Sequence, residues 1–166
     1  MFIATKNTKV IAIHEVEWQC RRSAKGLSKP EYWTWLETVT SEDENRVTYD
    51  FSGEDYEIHE VDVDVAGFTA SGHIGSDLEG THYHLSWDGS SVSTDDDSLE
   101  AAKLGAKWSY VRTRRDYLLS ETDWIVTKAK ETGTNIPAAW KTYRQELRDI
   151  TEQSDPDNIT WPTKPS

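Results

Sequence analysis

The chain has 166 residues, a formal net charge of -12, eight tryptophans and seven tyrosines. This length allows one or two small domains and excludes a larger set of domains. The excess of acidic residues disfavours binding to nucleic-acid phosphates, and no stretch approaches the ~20 apolar residues of a membrane-spanning helix. The N-terminus lacks the basic and apolar regions of a cleaved signal peptide, so we expect a soluble protein that is not exported.

The charge is unevenly distributed along the chain. Residues 1–97 contain 7 Lys or Arg and 20 Asp or Glu, whereas residues 98–154 contain 10 and 8. A shift of this kind favours a domain boundary near residue 97. We therefore predict an α+β protein with a small acidic antiparallel β-rich domain over residues 1–97, a helical hairpin over residues 98–154 and an extended proline-rich tail over residues 155–166.

Short alternating patterns predict four or five strands within residues 1–97. The clearest patterns cover residues 9–18, 46–51, 56–65 and 81–87, with a loop over 21–30 and a polar turn over 41–45. The apolar parity switches within 56–65, which predicts a β-bulge near His59 or Glu60. The aromatic cluster at residues 32–36 fits either one helical turn or an interface loop.

Helical periodicity begins after residue 97. Asp97 and Glu100 fit a capping box for a helix that reaches about Leu119. A second, short helix is expected to end near Gly133, and Pro137 lies in the first turn of a third. Residues spaced by four and three form one seam on the first helix and one on the third: Leu104, Trp108, Val111, Arg115 and Leu118, and Ile136, Trp140, Tyr143, Leu147 and Ile150. We expect the two seams to face each other in a helical hairpin.

Arg115 places a charge in the first seam. Burial of an arginine is costly unless a carboxylate pairs with it, and Asp149 and Asp123 are suitable partners. One interpretation is that such a pair fixes the register of the helices. The alternative is that Arg115 binds an acidic partner surface.

Few residues indicate chemistry. His82 and His84 share one face of a predicted strand, a spacing that can chelate a metal, but the sequence identifies no third ligand. The acidic run 95–97 lacks the ligand spacing of a calcium loop. Cys20, the single cysteine, cannot form an intramolecular disulfide, and a lone thiol near His14 is a weak indication of a nucleophile. Because phosphate-loop, nucleophile-elbow and zinc-protease motifs are also absent, we predict that the protein is not an enzyme and needs no cofactor.

Several short motifs follow one another in the last third of the chain. They are Arg112, Arg115-Asp116, Leu118-Leu119, Thr122-Asp123-Trp124, Trp140, Tyr143-Arg144-Gln145, Leu147-Arg148-Asp149-Ile150 and Trp161-Pro162 with Pro165. Over residues 108–165, their order and spacing resemble the C-terminal signature of the bacteriophage tail assembly chaperone family, which also occurs in proteins described as tail-fibre assembly proteins. Residues 1–97 show no such resemblance.

The resemblance implies a non-enzymatic phage morphogenesis factor that helps tail or tail-fibre proteins to fold, trimerise or assemble. The positions that it carries over are Arg115, Asp116, Thr122, Asp123, Trp124, Trp140, Tyr143, Arg144, Arg148, Asp149 and Trp161. We expect a β-rich tail or tail-fibre protein as the partner, bound in the host cytoplasm during assembly, with neither nucleic acid nor a membrane as a partner. An oligomer with the client or in the virion is a further possibility.

The candidate residues fall into two groups. Arg112, Arg114, Arg144, Arg148 and Trp161 are predicted to be exposed and to bind the partner. Arg115, Asp116, Asp123, Trp124, Trp140, Tyr143, Leu147 and Asp149 are predicted to build the hairpin. The alternative function is a structural component of the virion tail, baseplate or fibre attachment, in which the same hairpin is a permanent adaptor.

Overall fold

The computed structural model describes residues 1–43, 46–77 and 80–166. These residues form two compact units, unit 1 (Met1–Leu99) and unit 2 (Glu100–Ser166). Unit 1 contains antiparallel sheets and unit 2 contains helices, so the chain has the predicted α+β fold. The predicted domain boundary, near residue 97, lies close to the division between the units.

The described residues of unit 1 form nine strands and three complete helices. The strands are β1 (Phe2–Lys6), β2 (Lys9–His14), β3 (Thr40–Asp43), β4 (Arg46–Tyr49), β5 (Glu57–Glu60), β6 (Ile74–Asp77), β7 (Gly80–Tyr83), β8 (Leu85–Trp87) and β9 (Val92–Thr94). The helices are α1 (Glu17–Ala24), α2 (Lys29–Val39) and α3 (Val65–Ala70). The prediction of four or five strands was therefore too low, because strands of three or four residues show too few alternations to be recognised.

Five of the strands form one antiparallel sheet in the order β5-β1-β2-β8-β9. Ile3 pairs with Ile13, and both lie on one face of the sheet with buried Val10, Val63 and Leu85. The opposite face carries a small-residue pair, in which Ala4 lies opposite Ala12. These two alanines and Tyr56 pack with Cys20 of α1, which is also fully buried. The small side chains allow α1 to lie close against the sheet.

The sequence predicted a strand over residues 9–18 and a loop over residues 21–30. In the structure, the end of that strand and the loop are replaced by two helices. The strand ends at His14, and α1 begins at Glu17, stabilised by an ion pair between Glu17 and Arg21 one turn later. A capping box starts α2, because Ser28 and Glu31 each accept a hydrogen bond from the backbone N–H of the other. The aromatic cluster at residues 32–36 therefore lies on a helix, which decides between the two alternatives left by the sequence.

The predicted strands over residues 56–65 and 81–87 are each interrupted. The first ends at Glu60, and Asp64 caps α3 by accepting a hydrogen bond from Gly67 N at 2.9 Å. The pairing of β5 with β1 is regular, so the predicted bulge is wrong and the parity switch marks the end of the strand. The second divides at His84, where β7 pairs with β6 and β8 with β2 and β9. Residues 41–43 of the predicted polar turn belong to β3, and residues 44–45 lie outside the described residues.

Unit 2 contains most of α4 (Asp96–Ser120), then α5 (Asp123–Thr132), α6 (Ala138–Arg148), a 3-10 turn (Asp149–Glu152) and the tail. The three predicted helices are confirmed, as are the C-terminal glycine Gly133, at φ 66°, and the non-helical tail. The predicted cap of α4 is wrong by two residues, because Asp95 accepts the hydrogen bond from Ser98 N at 3.0 Å. The buried side chains of unit 2 come from all three helices and the turn: Val111, Thr122, Ile125, Ala129, Tyr143, Arg144, Leu147 and Ile150.

The two predicted seams are buried to different extents. On the third helix and the turn after it, Tyr143, Leu147 and Ile150 are buried and Trp140 is half-buried. On α4, Val111 is buried, whereas Leu104 is exposed. Since α5 contributes Ile125 and Ala129 to the same core, unit 2 buries three helices together, which is more than the predicted two-seam hairpin.

Candidate functional site

Arg144 joins α6 to the turn between α4 and α5. Its guanidinium is buried, and Nη1 donates to the Leu119 carbonyl at 2.9 Å and to Thr122 Oγ1. Nη2 donates to Asp123 Oδ1 at 2.7 Å. The last carbonyls of a helix lack partners within the helix, and a cation beside them complements the helix dipole. Arg144 therefore satisfies the C-terminal end of α4 and connects it to the first residue of α5.

Arg115 does not form the ion pair that the sequence predicted. Its Nε donates to the neighbouring Asp116 Oδ1 at 2.7 Å. Asp123 is paired with Arg144, and Asp149 accepts two hydrogen bonds from Gln145 Nε2 at 2.8 and 3.0 Å. An arginine does fix the packing of unit 2, but it is Arg144 on α6.

The predicted partner-binding arginines do not form one surface. Arg144 is buried, so its predicted exposure is wrong. Arg112, Arg114 and Arg148 are exposed. Residues two apart on a helix point in different directions, which separates Arg112 from Arg114 on α4. The Arg114 guanidinium lies 4.6 Å from the centre of the Trp161 ring, so Arg114 holds the tail. Arg112 and Arg148 remain predictions as partner contacts.

The tail lies along α4 and contacts it through three side-chain pairs. Lys107 Nζ and Asp157 Oδ2 are 2.6 Å apart, Arg114 covers Trp161, and Lys164 Nζ lies 3.5 Å from Glu121 Oε2. Lys107 and Arg114 of α4 and Glu121, which directly follows α4, are seven residues apart, which is about 10 Å per step along a helix. The tail positions are three or four residues apart, about 10–14 Å in an extended chain. The tail therefore runs beside α4 in the same direction as the helix.

A side-chain clamp closes the turn at the start of the tail. Gln153 Oε1 accepts a hydrogen bond from Thr160 N at 2.8 Å, and Gln153 Nε2 donates to the Thr160 carbonyl at 3.1 Å. Ile150, Trp161 and Pro162 line a neighbouring groove of about 440 Å³. The half-buried Trp161 thus has both a cation and apolar neighbours within unit 2, and its role in partner binding remains a prediction.

The residues predicted to build the hairpin differ in burial. Leu147 and Tyr143 are buried, and the Tyr143 ring meets Trp140 edge to face with centroids 6.0 Å apart. Trp124, expected in the core, is exposed. It lies with Trp140 at the rim of a small groove of about 190 Å³.

Three exposed aromatic side chains form a feature that the sequence interpretation missed. Tyr110, Tyr117 and Trp124 are 67%, 60% and 59% exposed. Tyr110 and Tyr117 are seven residues apart on α4, so they share one face of that helix. The signal was present in the sequence as a spacing of seven, one position before Val111 and Leu118 of the seam. Trp124 belongs to α5, so helical spacing relates only the two tyrosines. For brevity, we call the three exposed side chains Tyr110, Tyr117 and Trp124 the aromatic face of unit 2.

The two candidate metal ligands in unit 1 have separate hydrogen-bond partners. His82 Nε2 lies 2.9 Å from Asp77 Oδ2, whereas His84 Nδ1 lies 2.9 Å from Ser98 Oγ. Burial lowers the pKa of His84 below its ordinary value, with a smaller contribution from neighbouring His82. Within residues 1–43, 46–77 and 80–166, no three His, Cys, Asp or Glu side chains form a cluster suited to a metal ion.

Cys20 is a packed thiol. Its Sγ lies 3.4 Å from the Phe2 carbonyl and 3.7 Å from the Ala12 carbonyl, to which it donates. Burial raises the pKa of Cys20 to about 12, so the thiolate that a nucleophile requires is disfavoured. Cys20 therefore contributes to the core between α1 and the sheet.

Comparison with known proteins identifies the C-terminal segment. Residues 108–166 match the family model described as phage tail assembly chaperone protein. The match covers about a third of the chain, and it agrees with the resemblance found over residues 108–165. No curated protein matches the chain, and no solved structure does.

The family-matched segment begins at Trp108 within α4 and includes α5, α6 and the tail. It contains Arg144 with its three partners and the whole aromatic face. Among the helices of the described residues, none combines the length and the apolar character needed to cross a membrane.

Proposed function

We propose that the protein is a tail or tail-fibre assembly chaperone whose unit 2 binds a β-rich tail protein without catalysis. The observation that carries this proposal is that the family-matched segment, residues 108–166, presents the aromatic face to solvent. Large aromatic side chains are enriched at protein interfaces, because they bury much apolar area with little loss of side-chain entropy. Tyr110, Tyr117 and Trp124 are therefore the proposed centre of the client-binding surface.

Charged residues around this centre have a secondary role. Arg112 and Arg148 are exposed, and charges at the rim of an interface mainly affect the association rate and its salt dependence. Arg144 acts indirectly, because it holds α6 against the α4–α5 turn and so supports the helix that carries Tyr117. We expect binding to occur in the host cytoplasm during assembly, before the tail is complete.

Co-expression with the neighbouring tail and tail-fibre genes tests the proposal. A tagged full chain is expected to capture one tail protein, and Tyr110→Ser, Tyr117→Ser and Trp124→Ser combined are expected to reduce capture by about tenfold or more. Ser109→Ala with Thr113→Ala is the control on other parts of α4 and is expected to leave capture unchanged. Equal capture by the aromatic variant and the wild type would remove the aromatic face from the proposal.

Mass spectrometry of purified virions tests the alternative of a permanent adaptor. A chaperone is released, so the chain is expected to be absent or far below stoichiometric amounts. Stoichiometric presence in the virion would contradict transient action and would favour a structural component of the tail, baseplate or fibre attachment.

A further inference from the structure

Unit 1 carries an apolar groove that the proposed function does not use. The groove has a volume of about 370 Å³ and lies between α1, α2 and the end of β4. Its apolar lining includes Trp18, Tyr32, Trp33, Leu36, Tyr49 and Phe51. We call it the aromatic groove. It lies outside the family-matched segment.

The rings of the aromatic groove are ordered and partly open to solvent. Trp33 is 44% and Tyr49 is 52% exposed. Trp18 and Trp33 have centroids 5.6 Å apart, while Tyr49 and Phe51 stack with an angle of 2° between their planes. The Arg21 guanidinium lies 3.7 Å from the centre of the Phe51 ring. The groove is therefore preformed by ring stacking and a cation–π contact, so that a ligand does not need to order it.

The polar groups of the aromatic groove are mainly hydrogen-bond donors. Trp18 and Trp33 each have an indole N–H and Tyr49 has a phenolic O–H. Within the described part of the chain, none of these three has a hydrogen-bond acceptor. The exposed edge of the groove also holds one acceptor group, Glu17, whose Oε1 accepts from both Nε and Nη2 of Arg21.

The apolar lining and the hydrogen-bond donors of the aromatic groove together favour a particular kind of ligand backbone. An apolar groove penalises a buried N–H without an acceptor. Proline has no N–H but retains its carbonyl, and a polyproline II segment has no internal hydrogen bonds to satisfy. The carbonyls of such a segment accept hydrogen bonds from indole and phenol groups while its rings pack against aromatic side chains, as in known grooves for proline-rich peptides.

The charge of unit 1 indicates which residues accompany the prolines. Residues 1–97 carry 7 basic and 20 acidic residues, so a basic segment is attracted and an acidic one is repelled. Two cations lie at the groove: Arg21 is paired with Glu17 and Glu54, and the Arg22 guanidinium lies 5.8 Å from the centre of the Trp18 ring. Glu17 is half-exposed, and its Oε2 has no partner among the described residues. A lysine or arginine of the ligand can therefore pair with it. We propose that the aromatic groove binds a proline-rich, Lys- or Arg-bearing segment of a partner protein.

Fluorescence anisotropy with the full chain tests this inference independently of the tail-client proposal. The probe is a labelled octapeptide of six prolines and two lysines. Its two controls replace the lysines by glutamates or the prolines by alanines. The proline–lysine peptide is expected to bind about tenfold more tightly than either control. Trp33→Ala and Tyr49→Ala are each expected to weaken it about tenfold.

Matched variants of exposed aromatic residues in unit 2 distinguish binding in the aromatic groove from nonspecific binding to exposed aromatic side chains. Trp124→Ala and Tyr117→Ala are expected to change the affinity of the peptide by less than about twofold. Circular dichroism verifies the fold of each variant. Absence of binding, equal binding of the alanine or glutamate control, or equal losses in the unit 2 variants would overturn the inference. So would a concentration-dependent dimer abolished by Trp33→Ala without peptide binding, since the groove would then be an interface between copies.

Discussion

Unit 1 brings together strands that are distant in the sequence, whereas unit 2 is built from helices that follow one another. In unit 1, Phe2 pairs with both His14 and Glu60, and the sheet is stabilised by apolar side chains such as Ile3 and Leu85. In unit 2, a buried charge, Arg144, contributes to the packing together with Leu147. Unit 1 also contains a buried polar connection, because Arg21 Nη1 donates to the buried carboxylate Oε2 of Glu54. The two units therefore differ in the sequence separation of the elements that pair, while both combine apolar burial with a largely buried arginine.

The largest expected effects come from removing a fully buried leucine from either unit. Leu85→Ala in unit 1 and Leu147→Ala in unit 2 are each expected to reduce the free energy of unfolding by about 3 kcal/mol, because both leave a cavity. Urea unfolding with hydrogen exchange resolved by segment measures both. If Leu85→Ala accelerates exchange only in unit 2, or Leu147→Ala only in unit 1, the division of the two cores is wrong.

A smaller but still large effect is expected for Arg144→Met. The change removes the Arg144 donor from Thr122 Oγ1 and from Asp123, at a cost of about 2 kcal/mol. The Leu119 carbonyl loses one donor but still accepts from Thr122 N and Oγ1. Exchange should increase most at the α4–α5 turn. Arg112→Met is the control, since Arg112 is exposed on α4 and should cost less than about 0.5 kcal/mol. Similar stabilities of the two variants would mean that unit 2 does not depend on the polar connection.

Loss of the ring that anchors the tail is expected to have a modest effect. Trp161→Ala removes the contact with Arg114 and is expected to cost about 1 kcal/mol. Exchange of residues 155–166 should rise while the helices remain protected. Trp124→Ala, which removes an exposed tryptophan of the same unit, should leave the tail unchanged. Unchanged tail exchange in Trp161→Ala would contradict the docking of the tail on α4.

The smallest effect concerns pH and belongs to unit 1. Burial lowers the pKa of His14 and of His84, so the folded state favours the neutral imidazoles. The stability that they contribute is complete above the unfolded pKa and is lost as the pH falls from that value through the folded pKa. A slight loss of unit 1 stability is therefore expected as the pH falls from about 7 to 5. The melting temperature of the double variant His14→Gln with His84→Gln should fall less over this pH range than that of the wild type. Equal falls for the two proteins would contradict the role of these histidines.

The helices of unit 2 were readable in the sequence because their signals are local. The predicted end of the first helix, Leu119, lies one residue before the end of α4. Gly133 marks the end of α5 as predicted, whereas Pro137, predicted in the first turn of α6, is its N-cap, one position earlier. A glycine in the left-handed conformation and a proline before the first turn are determined by backbone sterics that any such sequence shares.

The elements of unit 1 were less readable, since its strands are short and pair over long distances. Ser28, Pro30 and Glu31 are signals for the start of α2, but glycine, serine and proline near one another are equally typical of a loop. The division of residues 81–87 at His84 depends on which sheets β7 and β8 join. Alternation within one segment carries no information on that choice.

The sequence predicted which helices carry the residues of the candidate site, but not which contacts those residues make. Helical periodicity put arginines on α4 and α6, but it did not show that Arg144, and not Arg115, reaches the α4–α5 turn. One of the partners of Arg144 is the Leu119 carbonyl, and a backbone acceptor leaves no trace in residue types. Tyr110 and Tyr117 follow the same helical periodicity as the buried seam, one position before Val111 and Leu118, so their shared face is predictable from the sequence.

Site-specific photocrosslinking in the presence of the co-expressed tail protein tests the proposed role of unit 2 most directly. A photoreactive phenylalanine analogue is placed at Tyr117 in unit 2 and, separately, at Tyr49 in unit 1, two tyrosines of comparable exposure. If unit 2 holds the client, the tail protein forms an adduct from position 117 and much less from position 49. An adduct from position 49 alone would assign client binding to unit 1 and contradict the proposed role of the family-matched segment.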